Sequence, residues 1–201
     1  MRPRGIDASD GGAGRGCAGS KRLQKTVLLA AGELGYAQLT VAEVTARAGT
    51  TVEEFENRFA GLPDCFERAY EEESRLVSDR ILLAGARQPT WRTGLSAALA
   101  ELGAYVTEEP LAARALLVEV HVAGRGALTC RTERFERLSR ALDSARRETE
   151  SRHSPPPLTA LFMVSTIEAA VVSTLVRQKP SEFLRVVPEL ELLVRRAYFA
   201  E

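Results

Sequence analysis

Hydroxyl, amide and guanidinium side chains lie close together between residues 40 and 58. Thr40, Thr50 and Thr51 are followed by Asn57 and Arg58. Groups of these types donate hydrogen bonds to phosphate oxygens and to base edges in protein–DNA complexes. Such contacts require an element that presents the side chains together to one groove of the duplex. The stretch is therefore a candidate DNA-contacting surface, provided that its secondary structure places these residues on one face.

Two short helices separated by a glycine would supply that element. Residues 39–59 read LTVAEVTARAGTTVEEFENRF. Thr40 is a suitable N-cap with Glu43 three residues later, and Gly49 is suited to closing the first helix. Thr51 caps the next helix, again with a glutamate three residues on. This pattern predicts a helix-turn-helix, whose second helix lies in the DNA major groove.

The second of these helices carries acidic side chains. Glu53, Glu54 and Glu56 stand against Arg58, which gives a formal charge of −2 between residues 50 and 59. A carboxylate accepts a hydrogen bond from cytosine N4, and acidic residues in a first turn favour the helix dipole. Three carboxylates also repel the phosphate backbone, which dominates DNA affinity. A net positive charge in the segment before the helix-turn-helix offsets this repulsion. The segment contains Arg2, Arg4, Arg15, Lys21, Arg22 and Lys25 and only two acidic residues, Asp7 and Asp10.

The overall composition favours helices and gives no global attraction to nucleic acid. The chain has 201 residues, of which 45% are hydrophobic and 6% aromatic, so Leu, Val and Ala must form most of the core. Its 27 basic and 27 acidic residues cancel. Cys17, Cys65 and Cys130 are widely spaced and indicate reduced thiols. Because we expect neither a signal peptide nor an apolar run of about 18 residues, we predict a cytoplasmic protein without a membrane segment.

The pattern along the chain predicts an all-α protein of about nine helices in three parts. Residues 1–20 contain six of the fifteen glycines and are predicted to be a disordered basic arm. Residues 21–66 form the helix-turn-helix domain and residues 67–201 a larger bundle. Helices of the bundle after its first are predicted at residues 91–107, 110–124, 128–148, 158–176 and 188–198.

The N-terminal domain has a recognisable order of residues. RLQKTVLLAAGELGYAQLTVAEVTARAG at residues 22–49 is followed by Phe55 and Phe59, then by Cys65–Phe66 and Ala69–Tyr70. In this order and spacing the segment resembles the TetR/AcrR family of one-component transcriptional regulators. The tail PELELLVRRAYF at residues 188–199 is similar to the last helix of actinobacterial-type members. Between these segments the likeness is architectural.

The resemblance implies a homodimer that binds double-stranded operator DNA. Each subunit would present one helix-turn-helix to a half-site, with half-sites about 34–36 Å apart. Residues 67–201 would be the ligand-binding and dimerisation domain, which takes up a small apolar or amphipathic inducer and requires no cofactor. The candidate DNA-binding residues are Lys21, Arg22, Lys25, Thr40, Thr50, Thr51, Val52, Glu53, Glu56, Asn57 and Arg58.

Several DNA-facing positions depart from the family pattern. The family's third helix usually begins Val-Ser-Lys or Val-Ser-Arg and carries a Tyr before its last turn. Here those positions hold Thr50, Thr51, Val52 and, in place of the Tyr, Glu56, while the Lys usual at the start of the fourth helix is Leu62. Two hypotheses stay open. The chain is a ligand-released repressor of operator DNA, or it is a dimeric ligand-sensing or protein-interaction module on the same fold that does not bind DNA.

Large side chains of the bundle are candidates for a ligand pocket. The set comprises Trp91, Tyr105, His121, Phe135, Phe162 and Met163. Such side chains line small-molecule sites, but they also form ordinary hydrophobic core. His121 is either a polar ligand contact or a core histidine whose hydrogen bonds are made within the protein. The two histidines have no supporting ligand spacing, so no metal site is predicted. No GxSxG or P-loop pattern occurs and no GxGxxG follows a predicted strand, which argues against an enzyme.

Small residues on the helix at 158–176 indicate a dimer interface. Ser165, Ala169, Ala170 and Ser173 recur at helical spacing, and small side chains let helices approach closely. The final helix adds Leu190, Leu193 and Val194. The two helices together predict a four-helix contact between subunits, and the alternative is burial within one subunit.

Overall fold

The chain folds into α-helices joined by short turns. The computed structural model describes residues 11–147 and 155–199, and within these ranges it has nine α-helices and no strand, as the all-α prediction requires. Three single-turn 3₁₀ helices lie at Tyr36–Gln38, Glu119–His121 and Pro180–Glu182. The α-helices are α1 (Gly11–Leu34), α2 (Val41–Ala48), α3 (Val52–Glu56), α4 (Leu62–Ala86), α5 (Trp91–Glu108), α6 (Pro110–Leu117), α7 (Arg125–Arg147), α8 (Thr159–Val176) and α9 (Phe183–Phe199).

The first three helices and the start of α4 pack around one apolar cluster. Leu23 and Val27 of α1 lie four residues apart and therefore share a face. They meet Val44 of α2, Phe55 of α3 and Phe66 of α4, and all five side chains are at most 1% exposed. Burial of one such side chain contributes about 1.5–3 kcal/mol. The five-residue α3 is too short to be stable alone, so its position depends on Phe55.

Two helix starts differ from those predicted. Helix α1 begins at Gly11, so residues 11–20 are helical and the predicted disorder is wrong there; residues 1–10 of the predicted arm lie outside the described residues. Extending an existing helix costs far less than nucleating one, which offsets the glycine content of this segment.

Helix α9 begins at Phe183 and contains the exposed Pro188, which was predicted to start it. Proline lacks an N–H, so α9 continues through it at the cost of one backbone hydrogen bond.

A long helix joins the N-terminal module to the bundle. Helix α4 has 25 residues. It packs against α1 near its start, against α7 from Glu67 to Asp79, and against α5 towards its end. Helices α4 and α5 approach closely at Gly85 and Gly94, because a Cβ on Gly94 would lie 3.0 Å from the carbonyl oxygen of Gly85. Helix α8 packs on α7, and α9 packs on α5 and α8. A cavity lies among α4, α5, α7 and α8.

Helices α1 and α6 make the second connection between the module and the bundle. At their crossing, a Cβ on Gly32 would lie 2.0 Å from the carbonyl oxygen of Leu111. The two backbones therefore touch without an intervening side chain. Helix α6 ends at Leu117 and not at the predicted residue 124, and a 3₁₀ turn that contains the buried Glu119 follows it.

Helix α8 is the most apolar element of the described chain. Its 18 residues, Thr159–Val176, are long and apolar enough to cross a bilayer by length and composition alone, whereas the sequence pattern predicted no apolar run of this length. The core helix of a helical bundle passes the same test. Glu168 in its centre is buried and pairs with two arginines of α7. The pairing and the contacts with α6, α7 and α9 place α8 as a packed element of the bundle.

Alanine at Gly32 tests the backbone contact between α1 and α6. In an ordinary helix, glycine-to-alanine substitution stabilises by up to about 1 kcal/mol. Here the methyl group overlaps the Leu111 carbonyl, so we expect G32A to be destabilised by at least about 1–3 kcal/mol, with a melting temperature several degrees lower. Gly19→Ala in the same helix is the control, since its methyl group meets only the flexible end of Arg58. Equal melting temperatures of the two variants would contradict the close contact.

Candidate functional site

The helix-turn-helix is held by capping contacts that follow from its sequence. The Thr40 hydroxyl accepts from the Glu43 N–H at 3.1 Å, and the Thr51 hydroxyl accepts from the Glu54 N–H at 3.1 Å. Gly49 closes α2 in the left-handed conformation with φ 63°, where a residue with a Cβ is strained. Substitution of such a threonine cap by alanine typically costs about 1 kcal/mol. These local contacts set the angle at which α3 leaves α2.

Most of the predicted DNA-binding residues lie on the surface of this module. Thr50 and Arg58 are half-buried, and the other nine are exposed. Phe55 and Phe59 pack beneath them with ring centroids 5.3 Å apart, so the opposite face of α3 is free of the core. The exposed members are Lys21, Arg22, Lys25, Thr40, Thr51, Val52, Glu53, Glu56 and Asn57.

Several cations near α3 are already engaged by groups of the protein. Arg58 donates to the Glu54 carbonyl oxygen at 2.5 Å, and Lys21 lies 3.5 Å from a Glu72 carboxylate oxygen. The Thr50 hydroxyl donates to the Glu54 carboxylate, and this hydrogen bond lowers the pKa of Glu54. Glu54 therefore stays ionised at neutral pH. The surface of α3 itself is acidic. Arg22 of α1 lies near enough to Glu54 to favour its charged form, and Lys25 is exposed one turn farther along α1.

A buried glutamate ties the bundle to the helix-turn-helix module. Glu119 is 7% exposed, and its Oε2 accepts from the Tyr36 N–H at 2.9 Å. Its other oxygen lies 3.4 Å from Nε of Arg114 on α6. Hydrogen bonds to charged groups typically contribute about 1.5–3 kcal/mol. The turn after α1 is thus fixed to the segment after α6, in addition to the contact of Gly32 with Leu111.

The cavity in the bundle has a volume of about 860 Å³ and a largely aliphatic wall. This volume is within the range of about 300–1,000 Å³ that is typical of small-molecule sites. Trp91, Tyr105 and Phe135 line it, so three of the six predicted pocket residues lie on its wall. Leu116 and Leu117 also line it, which brings the end of α6 into the wall.

The other three predicted pocket residues lie elsewhere. His121 is exposed in the 3₁₀ turn after α6, Phe162 is 59% exposed on α8, and Met163 packs half-buried against the core without reaching the cavity wall. They were misplaced because α8 is apolar on nearly every side, so its sequence does not show which face points inward. Arg134 and Glu168 do line the cavity and were missed. The sequence does contain one sign of this site, because Glu168 is a carboxylate within the otherwise apolar α8.

Arg134 and Glu168 belong to a buried ion cluster at one part of the wall. Glu168 Oε1 lies 2.6 Å from Nη2 of Arg131, and Glu168 Oε2 lies 2.5 Å from Nη2 of Arg134. The Arg131 guanidinium stacks over Phe135 at 4.3 Å from the ring centroid. The Tyr70 hydroxyl near these charges is buried without a hydrogen-bond partner, and burial raises its pKa to about 12. No group of histidine, cysteine and acidic side chains in the described chain could hold a metal ion.

The small residues of α8 lie on its outer face. Ser165, Ala169 and Ser173 are exposed and Ala170 is half-buried, and Phe162 and Val176 beside them are 59% and 57% exposed. Leu193 of α9 is 44% exposed. Leu190 and Val194 were predicted on the same surface, but they are 7% and 1% exposed and belong to the core. The prediction is wrong for these two, because α9 turns that face towards its own bundle.

Solved structures of known proteins share this architecture. FadR from Bacillus halodurans, a fatty acid degradation regulator, aligns with a TM-score of 0.77 over 88% of this chain and 94% of its own, at 12% identity. FadR from Bacillus subtilis, a transcriptional regulator in complex with stearoyl-CoA, aligns with a TM-score of 0.75 over 86% and 96%, at 13% identity. A TetR family transcription regulator from Marinobacter aquaeolei VT8 aligns with 0.66 over 88% and 97%, at 16% identity.

The comparisons define the class of fold. No protein-family model and no curated protein matches the chain. Its helices place it among all-α proteins with an N-terminal helix-turn-helix and a C-terminal bundle. Within that class, the chain has the TetR-type regulator fold.

Removal of the Glu119 carboxylate tests the tie between the bundle and the turn after α1. We expect Glu119→Ala to increase hydrogen exchange of the Tyr36 amide by about tenfold or more, since about 1.4 kcal/mol corresponds to a factor of ten. Glu119→Gln keeps an acceptor oxygen and should retain most of the protection. Glu136→Ala, which removes a carboxylate exposed on α7, is the control. Unchanged exchange at Tyr36 in E119A would contradict the proposed role of this bond.

Proposed function

We propose that this protein is a cytoplasmic, dimeric transcriptional regulator of the TetR type, in which a small molecule in the cavity changes DNA binding by the helix-turn-helix. The observation that carries the proposal is the position of α6. Its residues Leu116 and Leu117 line the cavity, while Leu111 contacts Gly32 of α1. One eight-residue helix therefore contacts both the ligand cavity and the DNA-binding module.

A ligand can act through this helix only if it favours one position of α6 over another. Filling the cavity presses on Leu116 and Leu117 at the end of α6. Because α6 and α1 touch through their backbones, a displacement of α6 cannot be absorbed by a flexible side chain at Gly32. Glu119 transmits the same displacement to the Tyr36 N–H. We infer that ligand binding reorients α1 and the helices that follow it, with an effect set by the ligand's different affinity for the two positions.

The ligand in this proposal has a long apolar part. The cavity wall is mostly aliphatic, and its volume accommodates a drug-sized or lipid-like molecule. The acyl chain of a ligand such as the stearoyl-CoA bound by FadR from Bacillus subtilis has this chemistry. An apolar or amphipathic inducer of that kind is what we propose for this chain, in keeping with the expectation from its sequence.

DNA binding is proposed to combine α3 with the basic end of α1. Exposed Arg22 and Lys25 supply phosphate contacts, and Thr40, Thr51 and Asn57 supply neutral hydrogen-bonding groups. The carboxylates of α3 reduce the attraction to phosphate and restrict the bases that α3 tolerates. We therefore propose a weaker and more salt-sensitive reader than one with a basic α3.

The second candidate function is a dimeric ligand-sensing or interaction protein that does not bind DNA. The exposed Glu53 and Glu56 on α3 favour it, because two carboxylates on this face repel the phosphates of a duplex. The two candidates share the cavity and the dimer. They differ in whether operator DNA is bound at low salt.

Dimerisation is proposed to use the outer face of α8 together with α9. Phe162, Ala169 and Val176 are spaced by seven residues and lie on one exposed face of α8. Ser165 and Ser173 allow a partner helix to approach closely. The exposed Leu193 extends this surface onto α9. A two-fold contact that pairs this surface with its copy would bury an apolar patch that a single subunit exposes.

A DNA-binding titration distinguishes the two candidate functions. Fluorescence anisotropy with the upstream DNA of its own gene should show binding that weakens steeply as salt rises. Lys25→Ala should weaken binding and lower the salt slope by about 1, and Glu56→Gln should strengthen binding. Glu136→Gln on the distant α7 is the control for removal of a carboxylate. Absence of binding at low salt for both the native protein and E56Q would reject the repressor and favour the second candidate.

Charge insertion tests the dimer surface. We expect Leu193→Asp to shift the protein from dimer to monomer in light scattering, because an aspartate there would be buried without a partner in the interface. Leu83→Asp is the matched control, since Leu83 is similarly exposed at 50% on α4. Retention of the dimer by L193D would contradict the proposed surface, and loss of the dimer in both variants would point to a general effect of the substitution.

A further inference from the structure

One end of the cavity has a chemistry different from the rest of its wall. Leu95, Leu99 and Val171 are typical of the aliphatic lining. Arg134 and Glu168 also line the cavity, and both are about nine-tenths buried, with side-chain exposures of 10% and 9%. Ionised groups are placed against an apolar cavity at a considerable desolvation cost. The cluster joins α8 to α7, but apolar side chains would join them without this cost, so the position of two of its charges on the cavity wall points to a role towards a ligand.

The two ends of the cavity are identified by burial. Ala86, Gln88 and Thr90 line it and are exposed, so the mouth lies where α4 ends and α5 begins. Tyr105, near the other end of α5, is buried and donates to Glu73 of α4 at 3.0 Å. At about 1.5 Å per residue, the lining residues of α5 span about 20 Å. The cavity is thus elongated, with a solvent-exposed mouth and a buried end.

The ion cluster lies at the buried end. Arg134 is ten residues before Ser144, which lines the exposed part of α7, so it lies about 15 Å farther in. Ser74 of α4, also buried, lines the same end. Glu73 does not line the cavity, and its carboxylate is engaged by the hydrogen bond from the Tyr105 hydroxyl. A ligand that reaches the buried end therefore meets Arg134 and Glu168 before any other charged group.

The cluster contains one more positive charge than negative charge. The carboxylate of Glu168 is shared between the guanidiniums of Arg131 and Arg134. Arg131 is 26% exposed and does not line the cavity, whereas Arg134 does. A guanidinium has five N–H donors and binds a carboxylate with two parallel hydrogen bonds. The buried hydroxyl of Tyr70, which has no hydrogen-bond partner, lies near the same charges but does not line the cavity. The buried end is thus prepared for an anionic group with several acceptor atoms.

We propose that the ligand is an elongated aliphatic carboxylate that binds head-first, with its carboxylate at Arg134 and its hydrocarbon tail directed towards the mouth. This inference rests on the proposed ligand-binding function and names the class of ligand. The proposal also predicts that this protein does not respond to acyl thioesters. A coenzyme A group is too large and too polar for the buried end, so a thioester would have to place its terminal methyl group against the ion cluster. That arrangement leaves the charges without the compensation that a carboxylate provides.

The ligand preference can be measured without DNA. Trp91 is the only tryptophan of the chain and lines the cavity, so its fluorescence reports occupancy directly. Palmitate, palmityl alcohol, palmitylamine and palmitoyl-CoA, each below its aggregation limit, share one tail and differ in the head group. We expect palmitate to bind at least ten times more tightly than the alcohol and the thioester, and the amine to bind most weakly. Equal or tighter binding of the alcohol or the thioester would overturn the proposal.

Paired substitutions locate the origin of the preference. Arg134→Gln combined with Glu168→Gln removes the two charges that line the cavity and leaves only Arg131, which does not line it. The substitutions keep polar groups of similar size and should reduce the preference for acid over alcohol to less than about threefold, well short of the factor of ten that corresponds to about 1.4 kcal/mol. Arg137→Gln combined with Asp79→Asn is the matched control. It removes an exposed ion pair between α7 and α4 that does not line the cavity, and should leave the preference intact. Retention of the preference in the first double variant would overturn the assignment to Arg134.

Failure of this inference and failure of the proposed function give different results. If the protein does not bind DNA, the preference for palmitate over the alcohol is still observed in Trp91 fluorescence. If the thioester is the tighter ligand and releases the protein from DNA, the regulator stands and the head-first carboxylate is rejected. Should the double variant fail to fold, the ligand series on the native protein alone decides between carboxylate and thioester.

Discussion

The contact between the backbones of α1 and α6 is the constraint on which the arrangement of the two parts depends. It requires a residue without a side chain at Gly32, because the Leu111 carbonyl occupies the space of a Cβ. Side-chain contacts at an interface absorb small displacements through rotamer changes, whereas a backbone contact does not. Glu119 adds a directional bond to Tyr36 on the same side. The helix-turn-helix thus has its position defined by the bundle, and α6 is the element shared by both.

Electrostatics, in contrast, act against the most direct use of the helix-turn-helix. The scaffold of this motif depends on capping hydroxyls, one glycine and two phenylalanines, and all of these contacts form. None of them concerns the charge of the exposed face. The fold therefore keeps α3 in place whatever the charge of its exposed face, since the packing energy comes from Phe55 and the cap energy from Thr51. The position of α3 and the charge of its exposed face are set by different residues.

The parts of the structure that depend on local sequence were predictable. Thr40, Thr51 and Gly49 act on backbone groups within a few residues, so their spacing alone predicts two helices and the turn between them. The helical start at Gly11 was not predictable in this way, because it depends on continuation from the packed part of α1. Contacts between distant residues were also beyond a sequence pattern. Glu119 and Tyr36 are 83 positions apart, and Glu168 and Arg134 are 34 apart. The phase of α8 was ambiguous, which misplaced Phe162 and Met163 and left Glu168 unnoticed.

The close approach of Gly85 and Gly94 has a kinetic consequence for the cavity. These residues line the cavity near its mouth, and their backbones lie together with no side chain that could swing aside. The width of the entrance on this side is therefore set by the separation of α4 and α5. In the proposed ligand-binding function a molecule enters and leaves past this contact, so a substitution that widens or narrows the mouth changes the association and dissociation rates in the same sense. The residence time of the proposed ligand is then determined at the mouth, while its equilibrium affinity is determined by the contacts farther in.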